Sequence, residues 1–187
     1  MDFKNQIHDY YYYENICTQE QLKELHKVFK ENFININDAK AEGVIKKSNL
    51  TFTHWGVLKN YIYALDQHVL KHNQDHIGYN LWPQFDGNYI ILNEYNSEQG
   101  GEYDWHKDHS NNFIYDIKLT ILINASLEAY EGGKFYLFTN NGERYVPELD
   151  ISGNMIIFKS DQVHKVTPVT KGKRHTITLF YNGPRWL

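Results

Sequence analysis

From Asn88 to Asn182 the chain consists of short stretches in which apolar and polar residues alternate, separated by turn-forming residues. No other feature constrains the fold as strongly. The stretches run from Tyr89 to Tyr95, Trp105 to Asp108, Ile117 to Asn124, Lys134 to Phe138, Asn154 to Lys159, Val163 to Thr167 and Arg174 to Asn182. Strands this short, with turns between them, predict an antiparallel sandwich or barrel. Gly132-Gly133 and Gly153 are expected to shape tight turns into strands.

The preceding half reads differently. Thr18-x-x-Gln21 is a capping-box pattern ahead of Leu22, Leu25, Val28, Phe29 and Phe33, whose spacing puts them on one face of a helix over 19–33. Leu58, Ile62, Leu65 and Val69 predict a second helix over about 57–74. Both helices are expected to cover one sheet. His68, His72 and His76 fall at spacings of four on or just past the second helix, but no Cys or carboxylate completes a zinc pattern, so they are expected to be solvated. Tyr10 to Tyr13 suggests a short edge strand, and 34–50 reads as a surface loop with a mobile lid as the alternative.

Composition sets bounds. With 187 residues, 41% of them hydrophobic, the chain is long enough for a single domain, 1–87 supplying helices and loops and 88–182 the sheet core. A formal charge of −4 with scattered Lys and Arg offers no nucleic-acid surface. One cysteine, Cys17, excludes an internal disulfide framework, and no apolar run is long enough for a signal peptide or membrane span. A reducing, cytoplasmic setting is the expectation.

The chemistry concentrates in Tyr103-Asp104-Trp105-His106-Lys107-Asp108 and in Asp161-Gln162-Val163-His164 with Arg174. Residues two apart on a strand share a face, so His106 and Asp108 can present an imidazole and a carboxylate to one point. His164 would complete a 2-His-1-carboxylate set, which leaves three metal positions open and suits non-haem Fe(II). A His-x-Asp pair alone is weak evidence in a chain with 10 histidines. The downstream spacing sharpens it: Val163 to Thr167 and Arg174 to Phe180 alternate around a turn at Pro168 to Lys173, and a hairpin closing near Val169 would set His164 beside Arg174. Arginine beside a metal has a use, since its planar fork binds a carboxylate bidentately.

Tyr95, Tyr103, His106-x-Asp108, Glu131-Gly132-Gly133, Gly153 to Phe158, His164, Pro168-Val169-Thr170-x-Gly172-x-Arg174 and Thr178 together resemble the ordered motifs of the 2-oxoglutarate and Fe(II)-dependent dioxygenases, most closely the prolyl 4-hydroxylase-like branch. The resemblance covers about residues 88–182. It implies a double-stranded β-helix, or jelly roll, of antiparallel strands. It implies Fe(II) on His106, Asp108 and His164, with 2-oxoglutarate chelating the metal, O2 taking the last position, and ascorbate as reductant. Arg174 would clamp the distal carboxylate. Thr178, four residues on, would donate a hydrogen bond near it, and Tyr95 would line the pocket, one residue farther from His106 than in the nearest family pattern. A polar side chain on Ile117 to Asn124 is also expected there: Lys118 and Thr120 are the candidates, and Leu122 stands where some relatives carry tyrosine. Val166 and Phe180 would be apolar walls, with Asp161 and Trp105 acting from behind the ligands.

The implied reaction converts 2-oxoglutarate and O2 to succinate and CO2 while hydroxylating a C–H bond. A proline in a peptide or protein is the first expectation for the substrate, and a free amino acid or small metabolite the alternative. A zinc-holding jelly-roll module would use the same three ligands, and a cupin-like enzyme would keep iron, but neither needs Arg174. Iron affinity is expected to fall below about pH 6.5, where free histidine protonates.

Overall fold

The computed structural model describes residues 9–34, 45–110 and 112–185. In chain order the elements are β1 (Tyr11–Tyr13), α1 (Gln19–Glu31), β2 (Lys46–Lys47), β3 (Asn49–His54) and α2 (Trp55–His72), which runs on into a π-helical turn at Asn73–Ile77. Then come β4 (Tyr89–Asn96), β5 (Glu102–His106), β6 (Tyr115–Asn124), β7 (Glu131–Gly132), β8 (Phe135–Thr139) and β9 (Gly142–Tyr145). The chain closes with β10 (Met155–Lys159), β11 (His164–Val166), β12 (Val169–Lys171) and β13 (Lys173–Pro184).

The strands form two antiparallel sheets of a jelly roll, the larger ordered β1-β10-β6-β13-β4-β3 and the smaller β2-β5-β11-β8-β9, with β12 and β7 pairing as a separate two-stranded ribbon. Alternation along β6 shows how one strand serves two cores. Leu119, Ile121 and Ile123 face Leu22, Phe29, Leu58 and Ile62 of the two helices, while Leu122 faces Phe135, Phe158 and Val166 between the sheets. The helices thus cover the outer face of the larger sheet, and the inner face is left to the smaller sheet. Thr18 caps α1 as expected, its hydroxyl accepting from the Gln21 amide and the Gln21 side chain accepting from the Thr18 amide.

Four expectations change. Of the expected loop 34–50, residues 35–44 lie outside the described residues, and the rest contains β2 and the start of β3. The strand expected at Trp105 to Asp108 ends at His106, so Asp108 lies past it. Arg174 is not the hairpin partner of His164. β11 is already flanked by β5 and β8, so the chain has no free edge there to fold back on. It crosses through β12 to the other sheet, where Arg174 pairs with Tyr95. The fourth concerns the helical histidines: His72 is 5% exposed, its Nδ1 hydrogen-bonded to the Tyr13 hydroxyl and its ring edge-on to Tyr11 at 4.2 Å between centroids. These contacts fasten β1 to α2.

Burial, with His76 and His68 nearby, pushes His72 down to about 4. A histidine harder to protonate folded than unfolded takes up its proton preferentially in the unfolded chain, so its contribution is intact above about pH 6.5 and is lost as pH falls towards 4. The melting temperature of the wild type should therefore drop more steeply over that window than that of His72→Gln, which keeps a partner for Tyr13. Parallel melting curves across the window would show that His72 is not the acid-labile group.

Candidate metal centre

His106 and His164 face each other across the β5–β11 ladder, their ring centroids 4.0 Å apart. Asp108, beyond the strand end, is kept in line because its amide donates to the Ser160 carbonyl at 3.0 Å. One ligand atom from each of the three lies within 4.8 Å of the other two. Each imidazole is oriented by the same local device: Nδ1 donates to the carbonyl two residues back, Asp104 at 2.7 Å for His106 and Gln162 at 2.9 Å for His164. That leaves both Nε2 lone pairs directed at Asp108, 3.7 and 3.5 Å from its carboxylate oxygens. Burial and the adjacent His164 push His106 down to about 3, so its ring is neutral well below the 6.5 threshold expected from free histidine. Two imidazole nitrogens and one carboxylate gathered about one point are the donor set that suits Fe(II) with open positions.

A cavity of about 230 Å³ runs from these three residues to Arg174 on the opposite sheet. Arg174 is 1% exposed, and none of its guanidinium nitrogens meets a hydrogen-bond acceptor among the described residues. Its one contact of note is the Tyr95 ring, 5.5 Å from the guanidinium carbon. Five donors on a permanent charge, desolvated and unmatched, are costly unless an anion meets them. Room for that side chain depends on Gly133, at φ +59°, where a Cβ would stand 2.8 Å from Arg174 Cδ.

The cavity brings together most residues singled out in the sequence. Tyr95, Val166, Thr178 and Phe180 line it. Burial pushes the Tyr95 phenol far up, so it stays neutral, and the Thr178 hydroxyl accepts from Asn93 at 3.0 Å. Thr120 and Lys118 are absent from the lining; Leu122 takes the position on β6. Thr120 instead donates to Asp108 Oδ2 at 2.7 Å, and Lys118 is buried farther along the same strand. Asp161 is exposed and orients neither ring; the Gln162 carbonyl does that work for His164. Trp105 packs on Phe138 under the Lys165 ammonium, away from the ligands.

Sequence reasoning passed over Asn93, Lys46, Leu50 and Phe52, all of which line the cavity. Asn93 was legible, since it lies two before Tyr95 on an expected strand. The others sit on β2 and β3, read as loop. It also passed over Tyr103 as a neighbour of the metal ligands: its ring stacks on His106 at 3.4 Å between centroids.

The sequence profile of the 2OG-Fe(II) oxygenase superfamily matches residues 90–182. A PKHD-type hydroxylase of Aliarcobacter butzleri is 31% identical over 169 residues, 85% of this chain and 72% of that protein. A second, from Alteromonas mediterranea, is 42% identical over 59 residues, which is 32% of this chain and only 25% of that protein. Among solved structures, a Pseudomonas putida prolyl-4-hydroxylase superposes with a TM-score of 0.71 at 18% identity, over 97% of this chain and 95% of that one. A Trichoplax adhaerens prolyl hydroxylase in complex with a hypoxia inducible factor peptide fragment gives 0.69 at 18%, over 92% and 83%. With the profile covering all three candidate ligands and Arg174, a relative aligned along most of both lengths, and a fold shared with solved prolyl 4-hydroxylases, the chain belongs to the 2-oxoglutarate and Fe(II)-dependent oxygenase superfamily.

Proposed function

We propose that the chain hydroxylates a C–H bond, in a peptidyl proline by preference, with His106, Asp108 and His164 holding Fe(II) and Arg174 holding the far carboxylate of 2-oxoglutarate. The observation that carries this reading is the buried guanidinium, without an acceptor among the described residues, across a cavity from the N2O set. A zinc-holding module has no need of such an arginine. A dicarboxylate whose one end reaches a metal and whose other end reaches a fixed fork satisfies both.

Fe(II), 2-oxoglutarate and O2, when bound, supply an oxidation that removes hydrogen from an unactivated carbon and returns a hydroxyl, with succinate and CO2 released. The chain's own part is placement. With each Nδ1 held by a backbone carbonyl, Nε2 of His106 and of His164 is the ring nitrogen free to bind the metal. Arg174, paired by its strand to Tyr95, fixes the depth at which the cosubstrate lies. Val166, Leu122 and Phe135 exclude water around it. The substrate would enter where Lys46, Phe52 and Phe180 frame the cavity. A peptide is favoured by the peptide-bound Trichoplax neighbour. Operation as one unit, 1–187, in a reducing cytoplasm with ascorbate keeping iron ferrous belongs to the same proposal. No helix among the described residues is long and apolar enough to cross a membrane.

Removing one partner of a desolvated charge pair costs about 2–5 kcal/mol, so Arg174→Ala should weaken 2-oxoglutarate binding by roughly 30-fold to several thousand-fold while leaving Fe(II) binding nearly intact. Arg174→Lys should recover part of it, restoring charge without the fork. Anaerobic titration of 2-oxoglutarate into the iron-loaded proteins, followed by the chelate's absorption band, reads this directly; equal affinity in the Ala variant removes the clamp.

The triad is tested separately. His106→Ala and Asp108→Ala should each lose Fe(II) and with it succinate formation; full iron occupancy in both would mean other residues bind the ion. Succinate release stimulated by a proline-containing peptide and not by free proline is the expected substrate result, and the reverse pattern points to a small metabolite.

A further inference from the structure

Asp108 is the one metal ligand outside the strand ladder, and its carboxylate is held by side chains that the proposed reaction does not use. Thr120 Oγ1 donates to Asp108 Oδ2 at 2.7 Å and lies 2.9 Å from Ser160 Oγ. Both hydroxyl residues are fully buried. A threonine hydroxyl has one hydrogen, and an ionised carboxylate can only accept. Thr120's hydrogen is therefore committed to Asp108, and the Ser160 hydroxyl must be the donor in the second bond. The result is a chain of fixed direction, from Ser160 to Thr120 to Asp108. Ser160 grips the same ligand a second time, because its carbonyl accepts the Asp108 amide at 3.0 Å.

Thr120 lies on β6 and pairs with Phe158 of β10, one residue before the end of that strand, so the donors belong to the larger sheet. The ligand extends from β5 of the smaller one. The chain of hydroxyls therefore sets the position of the carboxylate between the two walls.

We infer that Thr120, backed by Ser160, is a positioning residue that occupies Asp108 Oδ2 and so restricts the carboxylate to one metal bond through Oδ1, keeping a coordination position open for the cosubstrate. An aspartate free to turn both oxygens to the ion would take that position itself. Thr120 thus serves the metal through Asp108, while 2-oxoglutarate meets the wall at Leu122 and Arg174. This inference rests on the triad reading above.

The test compares wild type, Thr120→Val, Thr120→Ser and Ser160→Ala, with anaerobic Fe(II) titration and the 2-oxoglutarate chelate band at saturating iron. Losing a group that orients a ligand weakens metal binding by about 10- to 100-fold. Thr120→Val should show that loss and a reduced chelate band per iron, and Thr120→Ser should restore both. Either quantity unchanged in Thr120→Val overturns the inference, as does a fall in 2-oxoglutarate affinity with normal iron binding, which would make Thr120 a cosubstrate contact. Should Thr120→Val not fold, Ser160→Ala stands in: it removes the donor that polarises the Thr120 hydroxyl, a smaller loss of iron affinity in the same direction is expected, and no loss overturns the inference. A wild type that binds no Fe(II) would instead remove the triad.

Discussion

A permanent positive charge sealed from water without an acceptor is the constraint from which the rest of this site follows. Arg174 is 1% exposed, and the sheet around it answers with aromatic and hydroxyl groups, none of which accepts from its guanidinium among the described residues. Desolvating a cation of this kind destabilises the fold unless a counter-ion compensates. The fold tolerates the cost because Arg174, the second residue of β13, pairs with Tyr95 of β4, and β13 gains β6 on its other edge from Thr176 onward. Among the described residues the cavity has the Arg174 guanidinium at its far end and the Asp108 carboxylate with the His106 and His164 imidazoles at its near end. An anionic group at the far end would match the guanidinium.

The ten-residue interval between His164 and Arg174 was informative in the sequence, but for a reason different from the hairpin it suggested. β11 has neighbours on both edges, so the intervening residues carry the chain across the sandwich and not back along it. Side-by-side residues would have competed for the same end of a ligand. Placed on facing sheets, they stand at opposite ends of one cavity. Alternation could show which face of each strand is inward; it could not show which strand pairs with which, because pairing depends on edges occupied by distant segments.

The same limit explains what was legible elsewhere. Strands β4, β6 and β10 announced themselves because each carries apolar residues for two cores, β13 because polar and apolar residues alternate along it, and α1 because a capping box marks its start. β3 did not, although Asn49 to His54 alternates, because it abuts α2 without a turn residue between them. Its cavity residues, Leu50 and Phe52, were lost with it. The metal ligands were readable as chemistry, since their residue types and spacing are what the chemistry needs. The groups that orient them were not, since the orienting atoms at His106 and His164 are backbone carbonyls, which every residue possesses.

Holding a three-ligand site is a problem of relative position, and the two histidines solve it differently from the aspartate. His106 and His164 are neighbours in one ladder, so the hydrogen bonds that make the sheet also set the distance between the rings. Asp108 has no ladder partner. It gains the equivalent restraint from a backbone bond to Ser160 and a side-chain bond to Thr120, both on the other sheet. The geometry of the site therefore depends on how the two sheets pack as well as on the register within one. Phe135, Phe158 and Val166, which fill the space beside the ligands, set that spacing. Core packing and metal geometry are for this reason the same constraint, and a change of volume in those side chains would be felt first at the carboxylate, the one ligand that spans the gap.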